Sequence, residues 1–493
     1  MSHIGLWVQF AIQSNVNDSS SSEKASQSHL GHIRVSTWPM WVLGLVIGID
    51  TTDQSIVRGI VPQLKSAFHV GDFDIGLLLS AFVLVNGVVT LPAGYLADRW
   101  RRSRTIGTTV IGWSLISALG AAAWNFPVLV AIRGLLGFGE GITEPSANSL
   151  LADYYQLEER GRAFSIQQCL FFLGYGLGVA LGGAIARNMG WRMAFLVSAI
   201  PGLFIAALAW RLREPKRGES DIARATGIQS NSEIDATSAK QPRNKLFENG
   251  FGQFVKDMLI GLKDDLKTII AIPTMRYALV GVSALLFTVT AVGSWLPEFY
   301  ERQLHVSQNA SNIYFAILVA AAGIPGVIVG GYLADKWAHR IKGARMVIPA
   351  WCLLISTTLF IISYLKIGFW PTYLLQFLAF FTATLSIPSL RAGLSDAVPA
   401  SLRGAGFGAF NLVSVIFGGA VAPVAVSFFS QHFGNDLRTA FLITTPPVYL
   451  GALLLLAARK HIDEDAAKIF EKVLKAMQAQ ATHDAQRESP PSG

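Results

Sequence analysis

The sequence predicts an all-α integral membrane protein with twelve transmembrane helices in two pseudo-symmetric six-helix bundles and both termini in the cytoplasm. Two observations carry this prediction. Hydrophobic residues make up 52% of the 493 residues and charged residues only 15%, whereas about a quarter of an ordinary soluble domain is charged. In addition, one heptapeptide occurs in almost the same form in each half of the chain.

Twelve apolar stretches recur along the chain. Each is close to the roughly 20 residues that cross a hydrocarbon core of about 30 Å as a helix. A backbone in lipid has no water to bond, so these stretches must pair their own N–H and C=O groups as helices. They are residues 40–62, 75–97, 105–124, 127–150, 163–186, 192–211, 275–297, 312–334, 345–366, 370–394, 404–430 and 438–458.

The repeated heptapeptide relates the two halves. "GYLADRW" runs from Gly94 to Trp100 after the second stretch, and "GYLADKW" runs from Gly331 to Trp337 after the eighth. A second, shorter repeat follows the fourth and tenth stretches, where an aspartate, Asp153 or Asp396, stands eight residues before a glycine. Two parallel repeats of six spans are the arrangement of major facilitator carriers.

Basic residues in the short loops set the orientation. Three loops on one side carry ten Lys or Arg residues and three on the other side carry three; the first set is residues 98–105, 152–163 and 335–346. Because positive charge is retained in the cytoplasm, we place this first set inside. The net charge of +8 then reflects topology, and its dispersal among helix ends argues against a nucleic-acid partner.

Shifts in composition divide the chain into five segments. Residues 1–37 form a polar, Ser-rich tail that is predicted to be disordered. Residues 38–213 form the N-terminal bundle, 214–273 a polar cytoplasmic linker, 274–458 the C-terminal bundle and 459–493 a cytoplasmic tail.

The linker contains one apolar pattern. Phe254, Met258, Leu262 and Leu266 recur at four-residue spacing. This spacing predicts an amphipathic helix on the surface of the inner leaflet.

Ionisable residues interrupt the first and fourth stretches. An ionised side chain at the bilayer centre costs about 2.5–3.5 kcal/mol on insertion scales, so these residues are expected to face a shared cavity and not lipid. Burial and like-charge proximity favour a neutral carboxyl group, which makes at least one acid a candidate proton carrier. The residues are Asp50, Asp53 and Arg58 in the first stretch and Arg133, Glu140 and Glu144 in the fourth.

Motifs at the ends of these stretches resemble those of the major facilitator superfamily. The segment Gly94–Ile106 resembles the family's loop motif, although Arg101 stands where glycine is usual, and "RGLLGFGEG" resembles its arginine-and-glycine motif. Val179 replaces the proline of the drug-exporter motif. The resemblance and the repeat imply a set of gating residues that brace the halves as they rock: Gly94, Asp98, Arg99, Arg102, Asp153, Arg160, Gly331, Asp335, Lys336, Asp396 and Arg403.

Within the superfamily, the chain resembles the Spinster-like lipid transporters over roughly residues 40–215 and 290–430. The resemblance rests on Asp53 with Pro62 nine residues later, on Glu140 in "RGLLGFGEG", and on "LEERGRAFS", "GWRMAFLVSAIPGL", "SWLPEFYERQ", "GGYLADKW" and "FNLVS". Gln54 stands where these transporters usually have arginine, with Arg58 one helical turn later. Anion symporters of the superfamily share several of these features.

Glu140 is the first choice for the proton carrier. It shares one helical face with Arg133, and an arginine that alternates between Glu140 and an anionic substrate would link the two movements. The proton-coupling set is Glu140, Asp53, Asp50 and Arg133. The substrate-binding set is Arg58, Gln54, Glu144, Asn86, Trp295, Phe407 and Asn411.

The second half carries almost no ionisable residue at depth. A charged wall opposite an apolar, aromatic wall suits an amphiphile with a polar head and a greasy tail; candidate wall residues also include Phe287, Phe377, Phe381 and Phe410. The sequence therefore predicts a proton-coupled secondary carrier of a lysolipid-like substrate, with a symporter of small organic anions as the alternative.

Two other classes are weighed against the carrier. A membrane enzyme is disfavoured because the sequence has no phosphate-binding loop or paired-His zinc helix, and a receptor is disfavoured by gate motifs in both halves. We expect no cofactor, energy from an ion gradient and most simply from protons, a monomer in contact with membrane lipid, and a location in the cell membrane.

Overall fold

The computed structural model describes residues 36–97, 101–155, 157–215, 266–338, 340–397 and 405–465, with isolated positions at 256, 260, 263–264 and 467–468. Six long helices lie in the first half: α1 (Trp38–Gly59), α2 (Asp72–Ala97), α3 (Arg102–Leu119), α4 (Phe126–Tyr154), α5 (Leu157–Met189) and α6 (Trp191–Trp210). All regular structure within these described ranges is helical. The prediction of an all-α fold is confirmed.

The second half has six corresponding helices. They are α7 (Pro273–Leu304), α8 (Gln308–Ala338), α9 (Ala344–Ser363), α10 (Phe369–Asp396), α11 (Ala405–Ser414, a π-helical turn Val415–Ala420, and Val421–His432) and α12 (Leu437–Asp465). Eleven of the twelve are long and apolar enough to cross a membrane. The exception is α1, whose 22 residues include Asp50, Asp53 and Arg58.

Prolines interrupt two of the predicted stretches. α1 ends at Gly59, and a short helix, Val61–Phe68, follows it. Pro62 lies at the start of that short helix, where its missing N–H breaks no helical hydrogen bond. α12 is broken by a turn at Pro446 and Pro447 and resumes at residue 448.

Several sequence predictions fall outside the described residues. Asp98, Arg99 and Arg403 belong to this group, as does the predicted amphipathic linker helix apart from Leu266, which is helical. Asp335, Asp396 and Phe407 lie in helices, but their side chains are outside the described part of the structure. The five segment boundaries stay predictions.

Glycines let α1 and α5 approach closely. A Cβ atom on Gly174 would lie 2.0 Å from the carbonyl oxygen of Gly48, and one on Gly178 would lie 2.2 Å from that of Thr52. No other residue fits at these contacts, as expected for membrane helices packed through small residues.

Two seams join the halves. α5 packs on α8, where a Cβ atom on Gly176 would lie 2.8 Å from the carbonyl oxygen of Ala316. α2 packs on α11, where a Cβ atom on Gly76 would lie 2.8 Å from that of Pro423. Both seams involve the outer parts of these helices in the topology set by the basic loops, so the halves are in contact on the outer side.

Candidate functional site

Asp53 is enclosed within the first bundle. Its side chain is fully buried, and its Oδ1 accepts hydrogen bonds from the hydroxyls of Ser117 on α3 (2.5 Å) and Ser198 on α6 (2.6 Å). Its Oδ2 lies 3.7 Å from Nη1 of Arg133. Asp53 therefore differs from the expectation of a cavity-lining acid, because α3 and α6 supply its hydroxyl partners.

The two buried arginines converge on one backbone carbonyl. Arg58 and Arg133 each donate to the carbonyl oxygen of Gln54, both at 3.2 Å. The Arg58 guanidinium also lies 4.9 Å from the ring centroid of Tyr175, and a Cβ atom on Gly293 of α7 would lie 1.9 Å from the Tyr175 hydroxyl. Tyr175 thus connects the arginine site with the second half.

Neither arginine is saturated. Nε of Arg58 and Nη1 of Arg133 are buried and have no hydrogen-bond partner among the described residues. Guanidinium groups bind carboxylate and phosphate oxygens through such N–H groups. The pair is therefore a candidate anion site.

Glu140 is the least satisfied acid of the site. It is 1% exposed, and neither carboxyl oxygen has a hydrogen-bond partner in the described structure. It interacts electrostatically with Asp50, Asp53 and Arg133. The ion-pair geometry nevertheless joins Arg133 to Asp53, so the expected Arg133–Glu140 pair is replaced by an Arg133–Asp53 pair in this conformation.

Asp50 and Glu144 extend this acidic cluster. The Gln54 side chain donates to Oδ2 of Asp50 at 3.1 Å, and Asp50 interacts electrostatically with Glu144. Glu144 is exposed, whereas Asp50 is buried. The cluster thus leads from an exposed carboxyl group on the cytoplasmic side of α4 to the buried Glu140.

The predicted substrate-binding residues are only partly brought together. Gln54 and Asn86 are half-buried, and Asn411 is exposed on α11. Trp295 is fully buried and donates its indole N–H to the carbonyl oxygen of Pro423 at 3.0 Å. Trp295 therefore belongs to the outer seam in this conformation.

Among the predicted gating residues, Arg102 and Asp153 form an ion pair. Nη1 of Arg102 lies 2.5 Å from Asp153, and Nε lies 2.9 Å from Glu214. Burial alone would raise the pKa of Glu214, but hydrogen bonds from the Ser103 amide and from Arg102 outweigh it, and the pKa lies below its ordinary value. Glu214 was not singled out from the sequence.

The other described gating residues lie at the same cytoplasmic ends. Nε of Arg160 donates to the carbonyl oxygens of Ala152 and Tyr155, both at 3.0 Å. Lys336 lies over the ring of Tyr332. Gly94 and Gly331 are helical, within α2 and α8. Their gating roles stay predictions.

An ion-pair network joins the halves on the outer side. Arg302 of α7 donates to both carboxyl oxygens of Asp72 at 2.8 Å, and Ser430 of α11 donates to Asp72 at 2.8 Å. Lys65 also pairs with Asp72, and Glu298 pairs with Arg302 at 2.7 Å. We call these five residues the outer network. Four of them, Lys65, Asp72, Glu298 and Arg302, border an outer cavity of about 400 Å³.

Replacing Asp53 by Asn is expected to destabilise the protein. Removing one partner of a buried ion pair costs about 3–5 kcal/mol because the remaining charge stays buried, and Arg133 is 3% exposed. Thermal unfolding of purified Asp53→Asn protein in detergent should show a lower Tm than wild type. A Ser198→Ala protein should show a smaller decrease, since Ser117 still donates to Asp53. An unchanged Tm in Asp53→Asn would contradict the pairing.

The helices and the buried charges define a class of protein: a membrane transporter with two six-helix halves. The chain belongs to the Major Facilitator Superfamily, whose family model matches residues 43–416. It is accordingly a multi-pass membrane transporter of that superfamily.

Individual relatives are more distant. The chain is 25% identical over 341 residues to protein spinster of Drosophila melanogaster, and this alignment covers 67% of this chain and 51% of that protein. It is 24% identical over 327 residues to the probable L-galactonate transporter of Escherichia coli (strain K12), and this alignment covers 66% of this chain and 67% of that protein. The matched region thus spans about half the length of the fly protein, and the resemblance to Spinster-like transporters is confirmed.

A solved structure has the same fold. The crystal structure of a bacterial homolog to the human lysosomal transporter Spinster, in an inward-facing and occupied conformation, matches with a TM-score of 0.66 at 20% identity. The match covers 90% of this chain and 99% of that chain.

Proposed function

We propose that this transporter is a proton-coupled secondary carrier that moves an amphipathic, lysolipid-like substrate by alternating access. Glu140 carries the proton, and Arg58 and Arg133 bind the polar or anionic head of the substrate. The carrier works as a monomer in the cell membrane and takes its energy from the proton gradient.

One observation carries the proton-coupling proposal. Glu140 is buried without a hydrogen bond to either oxygen from the described residues. A buried carboxylate without a donor is costly, and protonation removes that cost. The nearby exposed Glu144 and buried Asp50 offer a route for the proton from the cytoplasmic side.

The deprotonated carboxylate of Glu140 and the anionic group of the substrate compete for the same arginine. When Glu140 is deprotonated, its negative charge attracts Arg133, with which it already interacts electrostatically. When Glu140 is protonated, Nη1 of Arg133, which makes a 3.7 Å ion pair with Asp53 but no hydrogen bond in the described structure, is available to an anionic group. Proton binding thereby favours substrate binding, which is the linkage that a symport cycle needs.

The apolar part of the second half supports an amphiphilic substrate. Phe287, Phe377 and Phe381 are half-buried on α7 and α10 of the second half. A fatty chain gains free energy from such a surface at about 25 cal/mol per Å² buried.

A small organic anion is the second candidate. Two unsaturated guanidinium groups are sufficient to bind a carboxylate, and the relative from Escherichia coli is described as a probable L-galactonate transporter.

Transport by purified protein in liposomes tests both candidates. Vesicles with an imposed pH gradient are offered radiolabelled 1-oleoyl-lysophosphatidylglycerol or galactonate, with protein-free vesicles and a protonophore as controls. Protein-dependent, protonophore-sensitive movement of the lysolipid is the expected result. Transport of galactonate alone would favour the second candidate. Transport that the protonophore does not inhibit would overturn proton coupling.

A further inference from the structure

The second half contains buried polar groups that its own fold does not satisfy. Thr372 and Gln376 of α10 are fully buried. The Thr372 hydroxyl and both amide atoms of Gln376 lack a hydrogen-bond partner among the described residues. Leaving a buried donor or acceptor unpaired is costly, so these groups require an explanation.

The internal repeat makes Gln376 the residue of the second half that corresponds to Arg133 in the first. The shorter repeat, which aligns Asp153 with Asp396, has an offset of 243 residues. The same offset aligns Pro145 with Pro388, the prolines inside α4 and α10. It also aligns the first residues of the two helices, Phe126 with Phe369. At this offset, Arg133 corresponds to Gln376.

Burial follows the same alignment. The buried face of α4 around Arg133 continues at Leu136, Gly137 and Glu140, and the buried face of α10 around Gln376 continues at Ala379, Phe380 and Ala383. α10 packs on α7, α8 and α9, just as α4 packs on α1, α2 and α3. The Gln376 amide therefore occupies in the second half the place that the Arg133 guanidinium occupies in the first.

The two positions differ in how they are satisfied. Arg133 pairs with Asp53 and donates to Gln54 of α1. On α7, which corresponds to α1, the hydroxyls of Ser294 and Tyr300 are also buried and unpaired in the described structure. Unpaired buried groups thus occur on both α7 and α10, as they do on α1 and α4.

We propose that Gln376, with Thr372 one turn away, is a specificity-determining residue that hydrogen-bonds a hydroxyl or carbonyl group of the substrate from the second half. This inference rests on the proposed carrier function, in which the arginines hold the anionic end from the first half. An amide both donates and accepts, so it recognises a neutral polar group. The substrate then carries an anionic group and a separate hydroxyl or carbonyl.

A stability measurement tests the inference without a substrate. Gln376→Met keeps the size of the side chain and removes the unpaired amide, so the Tm of unliganded protein in detergent should rise by about 2 °C. Thr357→Val is the control, because the Thr357 hydroxyl already donates to the carbonyl oxygen of Leu353 at 2.6 Å, and its Tm should not rise. A lower Tm for Gln376→Met would mean that the amide serves the fold, which overturns the inference.

Transport in liposomes tests the specificity. The probes are 1-oleoyl-lysophosphatidylglycerol and its analogue without the glycerol 2-hydroxyl, and galactonate and hexanoate. The variant is compared on the pair of probes that wild type transports. Gln376→Met should raise KM for the hydroxylated probe about tenfold, because one hydrogen bond to the substrate is lost. KM for the probe without the hydroxyl should change less than twofold. Equal changes for both members would overturn the inference. Transport of neither pair by wild type counts against the proposed function, and the Tm comparison then decides on Gln376.

Discussion

A Glu140→Gln protein is expected to lose accumulation of substrate against its gradient, by about tenfold or more, and to retain exchange of substrate across the membrane. The amide imitates a permanently protonated Glu140, so substrate can still bind at Arg133 but no proton is released. Gln keeps the size of Glu140 and can still contact its polar neighbours Asp50 and Gln54, so the fold is expected to survive the substitution. The measurement compares pH-driven uptake with counterflow in liposomes.

The pH dependence distinguishes this effect from a general loss of activity. Exchange by wild type should change with pH as Glu140 titrates, whereas exchange by Glu140→Gln should be nearly flat. Glu464→Gln is the matched control, since Glu464 is an exposed residue of α12, and it should behave as wild type. Uptake by Glu140→Gln that still depends fully on the pH gradient would rule out Glu140 as the proton carrier.

An Asp72→Asn protein is expected to open on the outer side. Asp72 accepts from Arg302 and Ser430 of the second half and is 2% exposed. Removing one partner of a buried ion pair costs about 3–5 kcal/mol, and a change of that size shifts a two-state equilibrium by about a hundredfold or more. The outward-closed conformation should lose that much relative to the outward-open one.

Distances between spin labels measure this shift. Phe73 and Phe433 are exposed and flank the outer seam at α2 and α11; labels at these positions, in a background without Cys169 and Cys352, should show a longer distance in Asp72→Asn. Asp74→Asn is the matched control, because the hydrogen bond that the Asp74 carboxylate accepts in the described part of the chain is a local one from the Gly71 amide. If both variants give the wild-type distance, the outer network does not hold the halves together.

Much of the fold was predictable because it depends on local properties. Apolar length, basic loops and the repeated "GYLAD" motif are read directly along the chain, and the predicted helix ends lie within seven residues of the observed ones. Even Gln376 could be aligned with Arg133, since the repeat is a property of the sequence. The interruptions at Pro62 and Pro446 were missed because apolar length alone does not register a break in the helix.

The partners of the charged residues were harder to predict. The intramembrane charges of α1 and α4 were expected to face a shared cavity, which stays a prediction; five of them are buried in the described structure and Glu144 is exposed. Ser117 and Ser198 were missed because single serines in apolar stretches are common and carry no pattern. Lys65 and Asp72 were missed as gate residues because each looks like an ordinary charge at a helix end.

The sequence by itself determined that this chain forms membrane helices in two related halves, because the cost of unpaired backbone and charge in lipid acts on each segment separately. Only the tertiary structure decided that Arg133 pairs with Asp53 and that Asp72 pairs with Arg302, 230 residues away. Such pairings depend on the rotation and depth at which each helix packs against the others, and those quantities are set by the whole assembly of side chains, not by any one segment.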